Sequence, residues 1–273
     1  MKNIRLVTLS FILSSLLKDS NRRKKYMRDV YSKTWSKKRK KYGVEQYDKD
    51  LIHELSRTQN DGKILEVAIG DGFPYAHIFD KMGYEVFGID IAPNLVNLVK
   101  KELPNIKVQI GDAEDLKFPE SFFDGVYCFR SSWYFPNLIK CIDEMLRVVN
   151  KHGVVMFDIQ NMNHPIHHKS VINQEKKRND PLIKIIMVRY VKNFIKTILR
   201  PIIYYPLDWS LNRHVIVEIA TDPQVVKSYL KRRDDVKYHL YGVVWNDPIT
   251  LKKIDETGEH KEFDRLVYKL QIV

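Results

Sequence analysis

The middle of the chain alternates short apolar runs with segments that carry apolar residues at helical spacing. The apolar runs predict strands near residues 63–67, 84–90, 106–110, 125–130 and 154–158. The segments between them predict amphipathic helices, and a further short helix is expected at the acidic and apolar stretch before the first strand. Strands that alternate with helices are typical of an α/β fold with a parallel, doubly wound sheet.

The pattern changes after the fifth predicted strand. Residues 160–214 form an insertion, and within it residues 182–203 place basic side chains on one helical face and apolar side chains on the other. Asp222 is a predicted N-cap for a helix that begins at Pro223. The last two strands are predicted at 236–245 and 265–273.

Residues 63–74 carry the first chemical signal. Gly70 and Gly72 allow a tight turn and a positive φ that other residues resist, and Pro74 suits the first turn of a helix. A strand, a glycine turn and a helix N-terminus together favour a nucleotide ligand, because free N–H groups collect there. A dinucleotide fingerprint would need a third glycine where this chain has Tyr75, so that motif is absent.

Acidic side chains lie in or directly after three successive predicted strands, at Glu66, Asp90 and Asp112. A carboxylate at the end of the second strand can accept both hydrogen bonds from a ribose diol, so Asp90 predicts a ligand that contains adenosine. We expect Ile91 to lie against the adenine. Pyrophosphate has no use for a carboxylate such as Glu66, whereas a ligand with cationic groups does.

These motifs resemble those of class I S-adenosylmethionine-dependent methyltransferases, and of their type 11 group in particular. The family's first motif, acid-x-Gly-x-Gly-x-Gly, corresponds to residues 66–72, with Ala68 in place of the first glycine. Alanine is small enough for the backbone to approach a ligand there if its φ is negative. The Gly-Asp-Ala sequence at 111–113 and the Phe-Asp sequence at 123–124 are similar to the family's segments around strands three and four.

The resemblance implies S-adenosylmethionine as the cofactor. It also implies a Rossmann-like, seven-stranded sheet that is mostly parallel with one antiparallel strand, together with N-terminal helices and a helical cap insertion. In the family, the acid at Asp112 accepts from the adenine amino group and the backbone at Ala113 contacts the ring. The implied cofactor residues are Glu66, Ala68, Gly70, Gly72, Asp90, Ile91, Asp112, Ala113 and Phe129.

The catalytic residues are not identified by the sequence. A general base is needed only if the acceptor loses a proton as it attacks, and the candidates are Tyr134, His164 and His167. No spacing of Cys and His residues typical of a metal site occurs, so no metal is expected. Cys128 and Cys141 lie in apolar segments and are expected to be buried, reduced thiols of a cytoplasmic protein.

The domain organisation that follows has four regions. Residues 1–60 are a basic and aromatic helical region, and residues 61–159 are the cofactor-binding Rossmann-like core. Residues 160–214 are the helical cap, and residues 215–273 supply a helix and the last strands of the sheet. The apolar segment at 1–17 is too short to span a bilayer and lacks a small-x-small cleavage site, which favours a packed or surface helix over an export signal.

The positive charge of the chain is local. Residues 22–41 contain eleven Lys or Arg and one acid, a charge of +10, so the remaining chain carries only +2 of the total of +12. Three interpretations stay open for this stretch: a solvated helix, a lid in which Tyr31, Trp35 or Tyr42 covers the cofactor, and a contact with anionic lipid. The basic helix at 182–203 is likewise either a cap over the substrate or a contact with the inner face of a membrane.

The predicted function is methyl transfer to an oxygen or nitrogen of a small-molecule, glycan-precursor or lipid-linked acceptor. An RNA methyltransferase is the alternative enzyme. The near-neutral body of the chain and the absence of an Asn/Asp-Pro-Pro-Tyr/Phe motif after strand four make nucleic acid less favoured. A third alternative is a peripheral membrane or interaction protein that retains the fold without catalysis, which Ala68 favours.

Overall fold

The computed structural model of the chain describes residues 24, 27–28, 43–56, 62–167 and 220–273. The predicted helix at 182–203 and the aromatic residues Tyr31, Trp35 and Tyr42 lie outside these residues, and so does most of the basic stretch at 22–41. The division into four regions therefore stays a prediction.

Helices and strands alternate through most of the described chain. The first six elements are α1 (Gln46–Ser56), β1 (Lys63–Val67), α2 (Tyr75–Lys81), β2 (Glu85–Asp90), α3 (Pro93–Glu102) and β3 (Lys107–Ile110). They are followed by β4 (Phe123–Cys128), a 3₁₀ turn (Ser132–Tyr134), α4 (Leu138–Val148), β5 (Val149–Gln160), α5 (Pro223–Leu230), β6 (Val236–Val244), β7 (Thr250–Ile254) and β8 (Arg265–Ile272). The side chain of Asp222 accepts a hydrogen bond from the Gln224 N–H at 2.9 Å, which confirms the predicted cap of α5.

All described strands join one sheet in the order β3-β2-β1-β4-β5-β8-β6-β7. The first five are parallel to one another, β8 is antiparallel to β5, and β6 is antiparallel to β8. The chain thus winds outward from β1 in both directions, as predicted. The sheet has eight strands and two reversed ones, rather than seven and one, because β7 adds an antiparallel edge strand beside β6.

The sheet lies between two layers of helices. Alternate strand residues face opposite sides: Leu65 belongs to one buried cluster and its neighbour Ile64 to the other. Helices α4 and α5 cover the face that contains Leu65, and α1, α2 and α3 cover the face that contains Ile64. In the described part of the chain, no helix combines the length and hydrophobicity needed to traverse a bilayer.

Candidate functional site

A pocket opens at the carboxyl ends of β3, β2, β1 and β4. Between β1 and β4 the chain order of the strands reverses, and ligands of open α/β sheets bind at such a switch point. The pocket brings together seven of the residues predicted from the sequence, namely Ala68, Gly70, Asp90, Ile91, Asp112, Ala113 and Tyr134. They come from four loops, so the fold assembles residues that are up to 66 positions apart in sequence.

The turn after β1 has a left-handed backbone at three alternate residues. Ala68 has a φ of 61°, Gly70 of 62° and Gly72 of 76°. The condition of a negative φ at Ala68 is therefore not met, and this alanine adopts a conformation that its β-carbon disfavours. Gly72 does not line the pocket: a β-carbon there would lie 2.7 Å from Leu103 Cδ1, so this glycine is required for packing between the turn and α3.

Asp90 at the end of β2 is held by the backbone on both sides. Its Oδ2 accepts from the Gly70 N–H at 2.9 Å and its Oδ1 accepts from the Ala92 N–H at 2.8 Å. Burial raises the pKa of Asp90 to about 6, although these backbone donors oppose the rise. Each carboxylate oxygen keeps a further lone pair for a hydroxyl group in the pocket, which is what the predicted ribose contact requires.

Asp112 lies in the loop after β3, beside a second carboxylate and a lysine. The Nζ of Lys24 lies 2.7 Å from Asp112 Oδ2 and 2.7 Å from Glu114 Oε2. Asp112 Oδ1 accepts from the Glu114 N–H at 3.0 Å, and Glu114 Oε1 accepts from the Asn137 N–H at 3.0 Å. The two acids are thus fixed by one cation and by the backbone, with Asp112 the more exposed of the pair.

Glu66 is buried and does not line the pocket, and its contact with the cofactor stays a prediction. Its Oε2 accepts from the Ala76 N–H and from the Tyr127 hydroxyl, both at 3.1 Å. Ala76 is in the first turn of α2, where an anion is favoured by the free N–H groups and the helix dipole. The carboxylate therefore anchors α2 to the sheet from behind the glycine turn.

Three further predicted residues also lie outside the pocket lining. Phe129 is buried against Tyr75, with ring centroids 5.0 Å apart, and belongs to the core. His164 and His167 follow β5, with ring centroids 6.1 Å apart. Of the three candidate bases, Tyr134 alone lines the pocket.

Sequence reasoning missed several pocket residues. They include Lys24 and Met27, which precede the core by some forty residues. Lys24 is one of eleven basic residues in 22–41, and nothing in the sequence distinguishes it from the other ten. Arg130 and Ser131, by contrast, lie at the exit of the fourth predicted strand, where side chains are expected to face the crevice, and both line the pocket. The strand itself was predicted to extend to residue 130, whereas β4 ends at Cys128.

The two cysteines are buried, as predicted. Cys141 borders the pocket from α4, and Cys128 ends β4. Burial raises the pKa of both thiols well above its ordinary value, so both stay protonated at neutral pH. Within the described residues, no group of three or more His, Cys, Asp or Glu side chains is arranged to hold a metal ion.

A model of the methyltransferase domain family matches residues 65–157, which include the glycine turn, Asp90 and Asp112. This segment is a class I S-adenosylmethionine-dependent methyltransferase domain. Over 115 residues the chain is 30% identical to a demethylmenaquinone methyltransferase of Chlorobaculum parvum, a match that covers 41% of this chain and 48% of the relative.

Two other proteins show the same likeness. A dTDP-3-amino-3,4,6-trideoxy-alpha-D-glucopyranose N,N-dimethyltransferase of Streptomyces venezuelae is 29% identical over 107 residues, which is 39% of this chain and 44% of that protein. A solved structure of an S-adenosylmethionine-dependent methyltransferase from Thermotoga maritima superposes with a TM-score of 0.53 at 12% sequence identity. The superposition covers 84% of this chain and 90% of the Thermotoga chain, and at this identity it supports the fold alone. The chain thus spans about half the length of the curated relatives that it matches.

The family's cofactor, S-adenosylmethionine, fits the residues that line the pocket. Asp90 offers carboxylate lone pairs at the second strand end, Asp112 is partly exposed at the third, and the turn at Gly70 brings backbone close to the pocket floor. The acids also match the positive charge of a sulfonium ligand. The pocket therefore contains the carboxylate acceptors and the close backbone turn that the cofactor requires, although position 68 is an alanine.

We expect Lys24→Met to weaken S-adenosylmethionine binding by about three- to tenfold. Without the lysine, the carboxylates of Asp112 and Glu114 repel each other, so Asp112 no longer keeps its position in the pocket. Isothermal titration calorimetry measures the effect, and Lys117→Met is the matched control, because Lys117 pairs with Asp115 on the surface. Equal affinities for the two variants would show that Lys24 does not support the pocket.

Cofactor affinity is expected to fall by about tenfold between pH 7 and pH 5, given a pKa of about 6 for Asp90. Only the ionised carboxylate accepts two hydrogen bonds from a diol, so affinity rises with pH through this pKa and then levels. Folding responds in the opposite sense: the folded-state pKa of Asp90 lies above its ordinary value of 3.8, so this group's contribution to the stability of the fold declines from pH 4 to pH 6. Titrations of wild type and Asp90→Asn check the first effect, and a wild-type affinity that is flat over this range would contradict it.

Proposed function

We propose that this protein transfers the sulfonium methyl group of S-adenosylmethionine to an oxygen or nitrogen of a small-molecule, glycan-precursor or lipid-linked acceptor. The observation that carries the proposal is the single pocket in which Gly70, Asp90 and Asp112 meet. They belong to a segment that matches the methyltransferase domain family. A relative named as an N,N-dimethyltransferase of a dTDP-linked amino sugar supports a nitrogen acceptor, and a relative named for demethylmenaquinone supports a lipophilic small-molecule acceptor.

When bound, the cofactor supplies a methyl group on a cationic sulfur that needs no further activation. The contribution of the chain is then to orient the acceptor and to exclude water. Tyr134 borders the pocket in the 3₁₀ turn after β4, where its hydroxyl can accept a hydrogen bond from an attacking hydroxyl or amine. Trp133 beside it is buried.

The test is methyl transfer from labelled S-adenosylmethionine to fractionated cell extracts. We expect label in the small-molecule or lipid fraction, and about tenfold less or lower still with Asp90→Ala at a cofactor concentration well below saturation. Label in the RNA fraction would favour the alternative enzyme. Tight S-adenosylmethionine binding without transfer to any fraction would favour a protein that keeps the fold without catalysis.

A membrane-associated location in the cytoplasm is part of this proposal and rests on charge. Residues 22–41 carry a net charge of +10 and residues 184–200 one of +5. Because the whole chain carries +12, the remaining residues have a net charge of −3 and are slightly acidic. Lys24 is paired with pocket acids and does not contribute to a lipid contact. A chain with this asymmetry is expected to orient on an anionic surface.

The full-length protein should therefore sediment with phosphatidylglycerol vesicles at low salt. Release is expected at 1 M salt, where the Debye length shrinks to about 3 Å from about 10 Å at 0.1 M. Phosphatidylcholine vesicles are the neutral control. Protein that stays in the supernatant with anionic vesicles at low salt would remove lipid proximity from the proposal and leave the methyl transfer itself unaffected.

A further inference from the structure

Buried charged and aromatic side chains surround the carboxyl ends of β4 and β5. Asp158 on β5 is fully buried, and Tyr47 and Asp48 of α1 are nearly so. Arg130, two residues after β4, lies among them and also lines the pocket. This cluster therefore links the pocket to α1 and to the centre of the sheet.

The backbone of Arg130 is locked by Asp158. Arg130 has a φ of 58°, a left-handed conformation that residues with a β-carbon disfavour. Its N–H donates to Asp158 Oδ1 at 2.7 Å, while the Tyr47 hydroxyl donates to Asp158 Oδ2 at 3.1 Å. A short, charge-assisted hydrogen bond to a buried carboxylate is strong enough to hold such a residue in place.

The side chain of Arg130 is only half satisfied. Its Nη2 donates to Asp48 Oδ1 at 2.8 Å and to Glu45 Oε2 at 3.2 Å. The guanidinium lies 5.2 Å from the centre of the Tyr47 ring. Its Nε is buried and has no hydrogen-bond partner within the described part of the chain. The guanidinium therefore keeps hydrogen-bonding capacity that the described protein does not use, on a residue that borders the pocket.

The strand order fixes the direction of a ligand in the pocket. Asp112 follows β3, Asp90 follows β2, Gly70 follows β1 and Arg130 follows β4, and these four strands are adjacent in that order. Three strand spacings of about 4.8 Å separate the two ends, or roughly 14 Å. With adenine at Asp112 and ribose at Asp90, the amino-acid end of the cofactor extends toward Arg130.

The charges of the pocket residues also favour the Arg130 end of the pocket for the amino-acid part of the cofactor. Among the described residues that line the pocket, the cations are Lys24 and Arg130. Lys24 lies at the opposite end and pairs there with Asp112 and Glu114. In the part of the chain that the structure describes, Arg130 pairs with Asp48 and Glu45 through Nη2 alone, so its other N–H groups are the donors left for a ligand carboxylate. The planar fork of arginine binds carboxylates with two parallel hydrogen bonds, which gives direction as well as energy.

We propose that Arg130 binds the carboxylate at the amino-acid end of the cofactor and that Asp158 is the positioning residue that aims it. The inference rests on the proposed function and adds to it a specificity-determining contact. It explains why an arginine is held in a left-handed conformation at this strand end. Asp158 acts through Arg130 and does not itself contact the pocket.

The test compares two ligands that differ only in the carboxylate, S-adenosylmethionine and decarboxylated S-adenosylmethionine, by calorimetry. Wild type should bind the first about ten- to a hundredfold more tightly, the range expected for a charge-assisted contact. In Arg130→Met this ratio should fall to about one, with little change in affinity for the decarboxylated ligand. Arg130→Lys should keep part of the preference, because the charge remains and the fork is lost.

Asp158→Asn tests the positioning role without the risk of unfolding that an alanine carries. Asparagine keeps an acceptor for the Arg130 N–H but loses the charge, so the ratio should fall between those of wild type and Arg130→Met. Arg233→Met is the matched control, because Arg233 pairs with Asp143 and Asp235 away from the pocket. Its ratio should equal that of wild type.

The outcomes separate the two proposals. A wild-type protein that binds neither ligand would overturn the proposed function. Binding of both ligands with an unchanged ratio in Arg130→Met would overturn the role of Arg130 and leave methyl transfer standing. A ratio in Asp158→Asn equal to that of wild type would overturn the positioning role alone.

Discussion

Gly70→Val is expected to reduce S-adenosylmethionine affinity by at least about a hundredfold while leaving most of the fold intact. Gly70 has a φ of 62° at the pocket floor, and its N–H donates to Asp90. A left-handed backbone costs an ordinary residue roughly 1–2 kcal/mol, and a β-branched one more. Relief of that strain would withdraw the N–H from Asp90, and the new side chain would fill space beside the cofactor.

Calorimetry of this variant has to be accompanied by circular dichroism, which shows whether the protein is folded. A control variant should carry valine at another glycine with a left-handed backbone, outside the pocket. Gly83→Val serves that purpose: Gly83 has a φ of 94°, and a β-carbon there would meet nothing within 4 Å. It should lose some stability and keep its affinity. A Gly70→Val protein that is folded and binds normally would exclude the turn from the cofactor site.

Asp90→Ala is expected to weaken S-adenosylmethionine binding by at least tenfold. The variant loses two charged hydrogen bonds to the ribose, worth about 1.5–3 kcal/mol, and leaves the N–H groups of Gly70 and Ala92 without their acceptor. The measurement is again calorimetric. Asp115→Ala is the control, because Asp115 is exposed, pairs with Lys117 and does not line the pocket.

An Asp90→Ala protein with wild-type affinity would remove this carboxylate from the site, whatever the control showed. A large effect in both variants would point instead to a general loss of negative charge near a cationic ligand. The pH titration separates these explanations further, because Asp90 has the raised pKa and Asp115 a lowered one, set chiefly by its hydrogen bond to Lys117.

Local sequence signals predicted the loops of the parallel half of the fold well. Gly70, Asp90 and Asp112 each follow a short apolar strand, and parallel strands bring their carboxyl ends to one edge. That geometry needs no long-range information beyond the order of the strands. The glycine turn and Asp90 could therefore be predicted from the strand pattern, whereas the roles of Asp112 and Ala113 were implied by the resemblance to the methyltransferase family.

The side-chain contacts that the sequence did not predict join residues that are distant in sequence. Glu66 lies in the same motif but turns to α2 and Tyr127, 61 residues away. Arg130 leaves the strand because of a bond to Asp158, 28 residues later. Lys24 meets Glu114 across 90 residues. A single sequence shows which residues can form such pairs, but the choice among similar candidates is made by packing.

Strand β7 was missed for a different reason. Its five residues alternate weakly, and its side chains are intermediate or exposed on both faces, so no apolar period marks it. The register of its pairing with β6, from Thr250 opposite Val244 to Lys253 opposite Tyr241, depends on the preceding strand. Edge strands of this kind are recognised by their neighbour more than by their own residues.

The same strand has a consequence for how the protein behaves at high concentration. β7 is the outermost strand of the described sheet, and such an edge leaves backbone donors and acceptors open to a strand from another molecule. Lys252 and Lys253 lie exposed in its centre, so two copies approaching edge to edge would bring lysines against lysines. This repulsion disfavours growth of the sheet between molecules and is expected to keep the protein from aggregating through this edge.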